Sequence, residues 1–293
     1  YYRAGNHEYR YALSVHADEI VNEGLWRRKL GASRSAMLFE REGVEIKLGP
    51  TLRKLATAAT FNPSLPYLSF LCINFDAPVV KEAASWFLNG VFLNYNCSFL
   101  ERALEQILDE ADSPEITRFL SAVDVRIDGF RVEEASEGRN RRVFVRHNVG
   151  GKHYELRLPE ESAGTQKLLG LAAFLLMAFN RGATVVVDEL DAKLHPKLLR
   201  YVILLFKDPE VNKSGAQLIF SSQDVSTMRN DVFRRDEIWF AARGEGEASQ
   251  LWSLADIHEA NGNLVSRNAA FDKQYLSGRY GADPYLTRIE EWD

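Results

Sequence analysis

Arg181-Gly-Ala-Thr-Val-Val-Val-Asp-Glu-Leu-Asp-Ala-Lys-Leu-His-Pro196 is an apolar run that stops abruptly on two adjacent carboxylates and then opens a new helix. The continuous Val185, Val186 and Val187, bounded by polar residues, fit a strand buried on both faces of a parallel sheet. Ligands of such sheets bind just beyond the carboxyl ends of the strands, and Asp188 and Glu189 stand at that end. Mg²⁺ prefers one or two carboxylates plus the phosphates of its substrate, so Asp188 is the candidate metal ligand on a bound nucleotide. Glu189 is the candidate to orient or deprotonate an attacking water. Read without its neighbours, the same stretch is also an acidic strand-to-helix turn with no chemistry.

Upstream, Glu161-Ser-Ala-Gly-Thr-Gln-Lys167 precedes a long apolar stretch, 168–179, which reads as a buried helix starting near Thr165. Ser162, Ala163, Gly164 and Thr165 then lie at its N-terminus, where unpaired backbone N–H groups and the helix dipole favour a phosphate. The same residues also suit an ordinary helix cap. Downstream, Gln217-Leu-Ile-Phe-Ser-Ser222 reads as another buried strand with Gln223 and Asp224 at its end. His195, followed by Pro196 at a helix start, reads as a residue that packs and caps the turn.

Together these segments are similar to a bacterial family of ABC-type AAA ATPases found in abortive-infection, retron and other phage-defence operons, with heads of the Rad50-like and SMC-like kind. Further segments carry the resemblance: Tyr9-Arg-Tyr-Ala-Leu-Ser-Val15, Gly215-Ala-Gln-Leu-Ile-Phe220, Arg234-Arg-Asp-Glu-Ile-Trp-Phe240, Leu251-Trp-Ser-Leu254 and Gly278-Arg-Tyr-Gly-Ala282. The resemblance implies an α/β ABC-type ATPase head, a P-loop NTPase sheet with an antiparallel β arm and a helical insertion. It makes Asp188-Glu189 a Walker B element and 162–165 a signature loop in a Ser-x-Gly-Thr variant. It implies ATP and Mg²⁺ as ligands, Asp188 as the metal residue, and Glu189 as the residue that positions water. On the same resemblance Asp191 would couple two sites, and Gln223 would hold the place of a switch residue that is usually His. Gln can donate a hydrogen bond to a γ-phosphate but cannot carry positive charge.

The implied partners are a second copy of the chain, in a head-to-head dimer or a larger homo-oligomer, and an effector such as a nuclease or toxin. ATP on one head would be capped by Ser162 and Gly164 of the other. Alternative readings are a DNA-repair or recombination ATPase and a non-catalytic scaffold; no heptad run supports a coiled coil. No Gly-x-x-x-x-Gly-Lys-[Ser/Thr] occurs, and the nearest approach is Gly150-Gly-Lys-His153. The expectation is that the phosphate-binding loop belongs to an N-terminal segment ahead of Tyr1, and that this polypeptide alone binds ATP poorly and hydrolyses little.

With 293 residues, 46% of them hydrophobic, the chain exceeds the usual single-domain length and can bury a large core. Cys72 and Cys97 give neither a disulfide framework nor metal spacing, in keeping with a reducing, cytoplasmic compartment. There is no apolar run of about eighteen residues to span a membrane. A net charge of −5 is not that of a general nucleic-acid binder, and the local basic clusters, Arg27-Arg28-Lys29 and Arg139 with Arg141, Arg142 and Arg146, make DNA a weakly supported partner.

Short alternating runs in 9–15, 36–41 and 44–48 predict an antiparallel meander, so residues 1–60 read as a β-rich arm. Helical spacing in 52–57, 79–88, 98–109 and 114–123 makes 61–125 a helical insertion. Residues 126–293 read as the ATPase lobe, with a hairpin turning at Gly150-Gly151, strands at 237–241 and 249–253 around a polar turn at 243–247, and a docking tail.

Overall fold

A computed structural model describes residues 1–55, 61–94, 113–123, 125, 127–134, 141–243, 248–259 and 261–282. The predicted helix 98–109, most of the turn 243–247, Arg139 and Cys97 lie outside these residues. The chain forms two compact units, Tyr1–Gly90 and Val91–Asp293.

The first unit is a five-stranded antiparallel meander: β1 (Tyr2–Ala4), β2 (His7–His16), β3 (Glu19–Lys29), β4 (Ala36–Glu42) and β5 (Glu45–Leu48), paired in sequence order. Two helices, α1 (Tyr67–Asn74) and α2 (Pro78–Leu88), share its core. Tyr67, Leu68, Leu71, Val80 and Ala83 pack with Tyr9, Leu25, Leu38 and Phe39. Composition marks where strands give way to helices but not which core the helices join. The compact division therefore falls at Gly90 and not at residue 60, and α1 and α2 belong with the meander rather than with an insertion.

At the centre of this unit Glu23 and Arg41 are fully buried. The Glu23 carboxylate accepts from the backbone N–H groups of Tyr67 (2.6 Å) and Leu68 (3.0 Å) and from the Tyr11 hydroxyl (2.9 Å). Arg41 donates to the carbonyls of Gly43, Pro63 and Leu65 and lies over the Phe61 ring. Its Nη1 reaches Glu23 at 3.4 Å.

The second unit is built around α4 (Ala163–Arg181). One side of this helix, through Leu168, Leu169, Ala172 and Ala173, packs with Val143 and Val145 of an antiparallel sheet and with Ile116 and Leu120 of α3 (Ser113–Ala122). That sheet is β7 (Gly129–Glu134), β8 (Arg141–Val149) and β9 (Lys152–Arg157). The other side, through Leu171, Phe174, Leu175 and Ala178, packs with Val185 and Val187 of β10 (Thr184–Asp188) and Leu199 and Val202 of α5 (Pro196–Lys207). A helix clamped on both sides is apolar all round, as the 168–179 run is. It ends at Gly182 in the left-handed conformation (φ +64), and any Cβ there would lie 2.4 Å from the Ser214 carbonyl oxygen, so glycine is required twice over.

β10 is the middle strand of a parallel sheet, flanked by β6 (Val91–Asn94) and β11 (Gln217–Phe220). A separate antiparallel pair, β12 (Trp239–Arg243) and β13 (Ser249–Ser253), carries a cluster with Phe271 of α6 (Phe271–Leu276). The overall class is α/β. Among the described residues no helix is long and apolar enough to cross a membrane.

Candidate functional site

The Val185–Val187 run pairs on both sides, Val187 standing opposite Leu93 on one strand and Phe220 on the other. Both parallel neighbours end at the level where β10 ends, so Asp188 and Glu189 emerge, exposed, at the carboxyl edge of the sheet. Ser221, the first residue past β11, closes this corner. Its hydroxyl donates to Asp188 Oδ1 (2.5 Å) and accepts from the Glu189 N–H (2.8 Å). Its carbonyl accepts from the Leu190 N–H (3.0 Å). The strand prediction contained Ser221 without giving it a role; only the register with β10 reveals one.

The turn after β10 is bent in an unusual way. Among described non-glycine residues with positive φ, Ala17 sits in the β2–β3 turn, and the other two, Glu189 (φ +52) and Lys193 (φ +63), sit together here. Such conformations cost roughly 1–3 kcal/mol each and persist where surrounding structure enforces them. Asp191, within the turn, accepts from the Gln223 N–H through Oδ2 (3.3 Å), while its Oδ1 is buried without a hydrogen-bond partner among the described residues. Asp188, Glu189, Asp191, Ser221 and Gln223 are thus gathered by the ends of two adjacent parallel strands.

The 162–165 segment is a helix cap in its local geometry. Ser162 is the N-cap of α4, its Oγ accepting from the Thr165 N–H (3.1 Å) and lying 2.9 Å from the Thr165 hydroxyl. The helix begins at Ala163, two residues before the expected start. Ser162 and Ala163 are exposed. Just before them, Glu161 is largely buried and its carboxylate meets His147 Nε2 of β8 at 2.5 Å. Gly164 has room: a Cβ there would meet the Lys193 carbonyl oxygen at 3.6 Å, an ordinary contact. The cap therefore sits beside the turn that follows β10.

The residue that joins them is Lys167, the last of the 161–167 segment, for which the sequence suggests no role of its own. It is 4% exposed, and its Nζ donates to the carbonyls of Glu189 (3.2 Å), Leu190 (3.0 Å) and Ala192. Burial pulls its pKa down to about 8, opposed by the charges of Asp191 and Glu189 and assisted by Lys193. His195 is the N-cap of α5, its Nδ1 accepting from the Lys197 N–H (3.1 Å), so it has the capping role expected of it.

The donor set is hard oxygen: one exposed carboxylate, Asp188, beside a serine hydroxyl. Among the described residues no group of three or more His, Cys, Asp or Glu converges as a metal cage. Mg²⁺ keeps most of its waters and takes few protein ligands beside substrate phosphates, so Asp188 with Ser221 fits that ion.

Comparison with curated proteins finds no match. Among solved structures, the SMC head domain from Thermotoga maritima matches at 14% identity over 81% of this chain and 74% of its own, with a TM-score of 0.39. An Smc head domain with an extended coiled coil from Pyrococcus furiosus, bound to the C-terminal domain of ScpA, matches at 14% identity over 79% of this chain and 72% of its own, TM-score 0.36. A structure from work on ATP-driven dimerization and DNA-stimulated activation of SMC ATPases matches at 16% identity over 53% of this chain and 87% of its own, TM-score 0.36. These likenesses are loose. The family model described as "AAA domain, putative AbiEii toxin, Type IV TA system" matches residues 8–229, a span that holds the whole strand-end corner and the α4 cap, and the chain belongs to that AAA-domain family.

Proposed function

We propose that this chain is an ABC-type ATPase subunit that binds ATP with Mg²⁺, hydrolyses it, and closes head to head on a second copy of itself. The observation that carries the reading is the corner formed at the carboxyl ends of β10 and β11. There an exposed Asp188 is held by Ser221, an exposed Glu189 follows it in a constrained turn, and Gln223 is tied to that turn through Asp191. Mg²⁺, when bound, would neutralise phosphate charge at Asp188. Glu189 would orient the attacking water and accept its proton. Gln223 would hydrogen-bond the γ-phosphate through its amide. Ser162, Ala163, Gly164 and Thr165 would offer backbone N–H groups and the α4 dipole to the nucleotide of the partner copy. No Gly-x-x-x-x-Gly-Lys-[Ser/Thr] lies within these 293 residues, so the reading rests on the strand-end corner and the α4 cap alone.

The biological reading is a role in prokaryotic anti-phage defence, in which the nucleotide cycle controls an effector such as a nuclease or toxin in the cytoplasm. The family description, with its AbiEii toxin and type IV TA system, supports it. The neutral Gln223 suits a slow ATPase that lingers in the ATP-bound state. In the full-length protein, Glu189→Gln should reduce single-turnover ATP hydrolysis by roughly two orders of magnitude, as expected for loss of a general base, while ATP-dependent association in sedimentation persists. Parental turnover in this variant would overturn the assignment.

A further inference from the structure

The proposed chemistry uses Glu189 and the exposed cap of α4 but gives no reason for the buried lysine between them. Lys167 lies five residues after the Ser162 cap and is almost wholly enclosed. A buried ammonium is tolerated when its donors are all met. Its three N–H groups face three carbonyls, those of Glu189, Leu190 and Ala192. These carbonyls converge because the turn carries a left-handed residue at each end, Glu189 and Lys193. Without a cation at its centre, three carbonyl dipoles pointing at one spot would repel one another. The half-buried Asp191 adds a negative charge on the same turn and also holds the Gln223 N–H. At the turn's far end the Lys193 carbonyl abuts Gly164. One and a half turns of helix thus carry the exposed cap on the outside and the clamp on the catalytic turn on the inside.

We infer that Lys167 is a positioning residue that locks the Glu189 turn to the first turns of α4, so that whatever loads the cap at 162–165 also sets the direction of the Glu189 carboxylate. This rests on the ATPase reading above. Lys167 touches no substrate; it acts through the backbone of Glu189. A rigid helix joined by hydrogen bonds to a constrained turn is a physical route for coupling between two sites.

The test uses the full-length protein, with ATP as ligand, and compares Lys167→Met, Lys167→Arg and Glu189→Gln. Lys167→Met keeps much of the side-chain length and apolar stem but removes the donors. Its kcat should fall roughly ten- to a hundred-fold, the range set by losing hydrogen bonds to a charged group. The KM for ATP should stay within about twofold, because nucleotide contacts are untouched. ATP-dependent association in sedimentation should persist. Lys167→Arg, which keeps charge and donors, should recover part of the lost kcat and fold even if the Met variant does not. A Met variant with parental kcat overturns the inference, as does an Arg variant no better than Met, or a kcat loss matched by an equal rise in KM. If Glu189→Gln also turns over at the parental rate, the ATPase reading itself fails; if Glu189→Gln is dead and Lys167→Met normal, only the coupling does.

Discussion

In the first unit the buried ions Glu23 and Arg41 meet helix N–H groups, a tyrosine hydroxyl, loop carbonyls and an aromatic face, none of them from a non-glycine residue in the left-handed conformation. In the second, Lys167 meets three carbonyls of a turn that holds two left-handed non-glycine residues and a buried Asp191 oxygen with no hydrogen-bond partner among the described residues. The first centre has a partner for every group and joins elements that would otherwise separate. The second holds backbone in a conformation it would not keep alone, beside exposed carboxylates at a sheet edge. Buried charge in the one place builds architecture; in the other it maintains strain where a ligand can reach.

The largest effect expected from this contrast is on stability. Arg41→Met leaves Glu23 buried without its cation, and removing one partner of a buried pair typically destabilises by about 3–5 kcal/mol. Chemical denaturation should show that loss. The double variant Glu23→Gln with Arg41→Met should recover a large part of it, because no uncompensated charge remains. Equal losses in the single and double variants would mean that the two residues are not energetically coupled and that the contrast between the centres is misdrawn.

Neither centre was legible in the sequence, for one physical reason. α1 has Pro66 at its N-cap position with no side-chain cap, and its N–H groups are satisfied by Glu23 from β3. No local start signal marks this helix in the sequence. Lys167 likewise reads as the polar end of a motif until folding brings the 189–192 carbonyls to it. What the sequence did expose was local: the Val185–Val187 run with its terminal carboxylates, the Ser162 cap, the Gly150-Gly151 hairpin between β8 and β9, and the meander strands β2, β4 and β5. β1, β3 and β6 are not marked in the sequence, β6 because a four-residue strand in a parallel sheet has no alternation to betray it.

A smaller effect is expected at Gln223. Its backbone is fixed by Asp191, but its side chain is exposed and able to reach outward, unlike any group in the Glu23–Arg41 centre. Exchanging a neutral donor for a charge-assisted one is worth on the order of 1–2 kcal/mol, roughly a tenfold or greater change in rate. Gln223→His should therefore raise ATP turnover in the full-length protein, and Gln223→Ala should lower it. Parental rates in both variants would place Gln223 outside the chemistry and reduce its role to the backbone contact with Asp191.

The smallest effect separates cap from ligand site at Ser162. As an N-cap, its Oγ satisfies the Thr165 N–H, and Ser→Ala at such a position costs typically about 1 kcal/mol. In a unit of this size that corresponds to a fall of roughly 2–4 °C in melting temperature. If the residue is a cap alone, as the Glu23–Arg41 centre is architecture alone, Ser162→Ala should show this modest loss with ATP-driven association unchanged. If the exposed cap also receives the partner's nucleotide, association should weaken by more than the stability loss explains, because Ser162 is exposed and a hydroxyl aimed at phosphate would go with it. Sedimentation with and without ATP, run well below the melting temperature, tells the two apart. Thr165 provides the control: Thr165→Val keeps the N–H that Ser162 caps and removes only the second hydroxyl, so a matching defect there would assign the effect to the ligand and not to the helix.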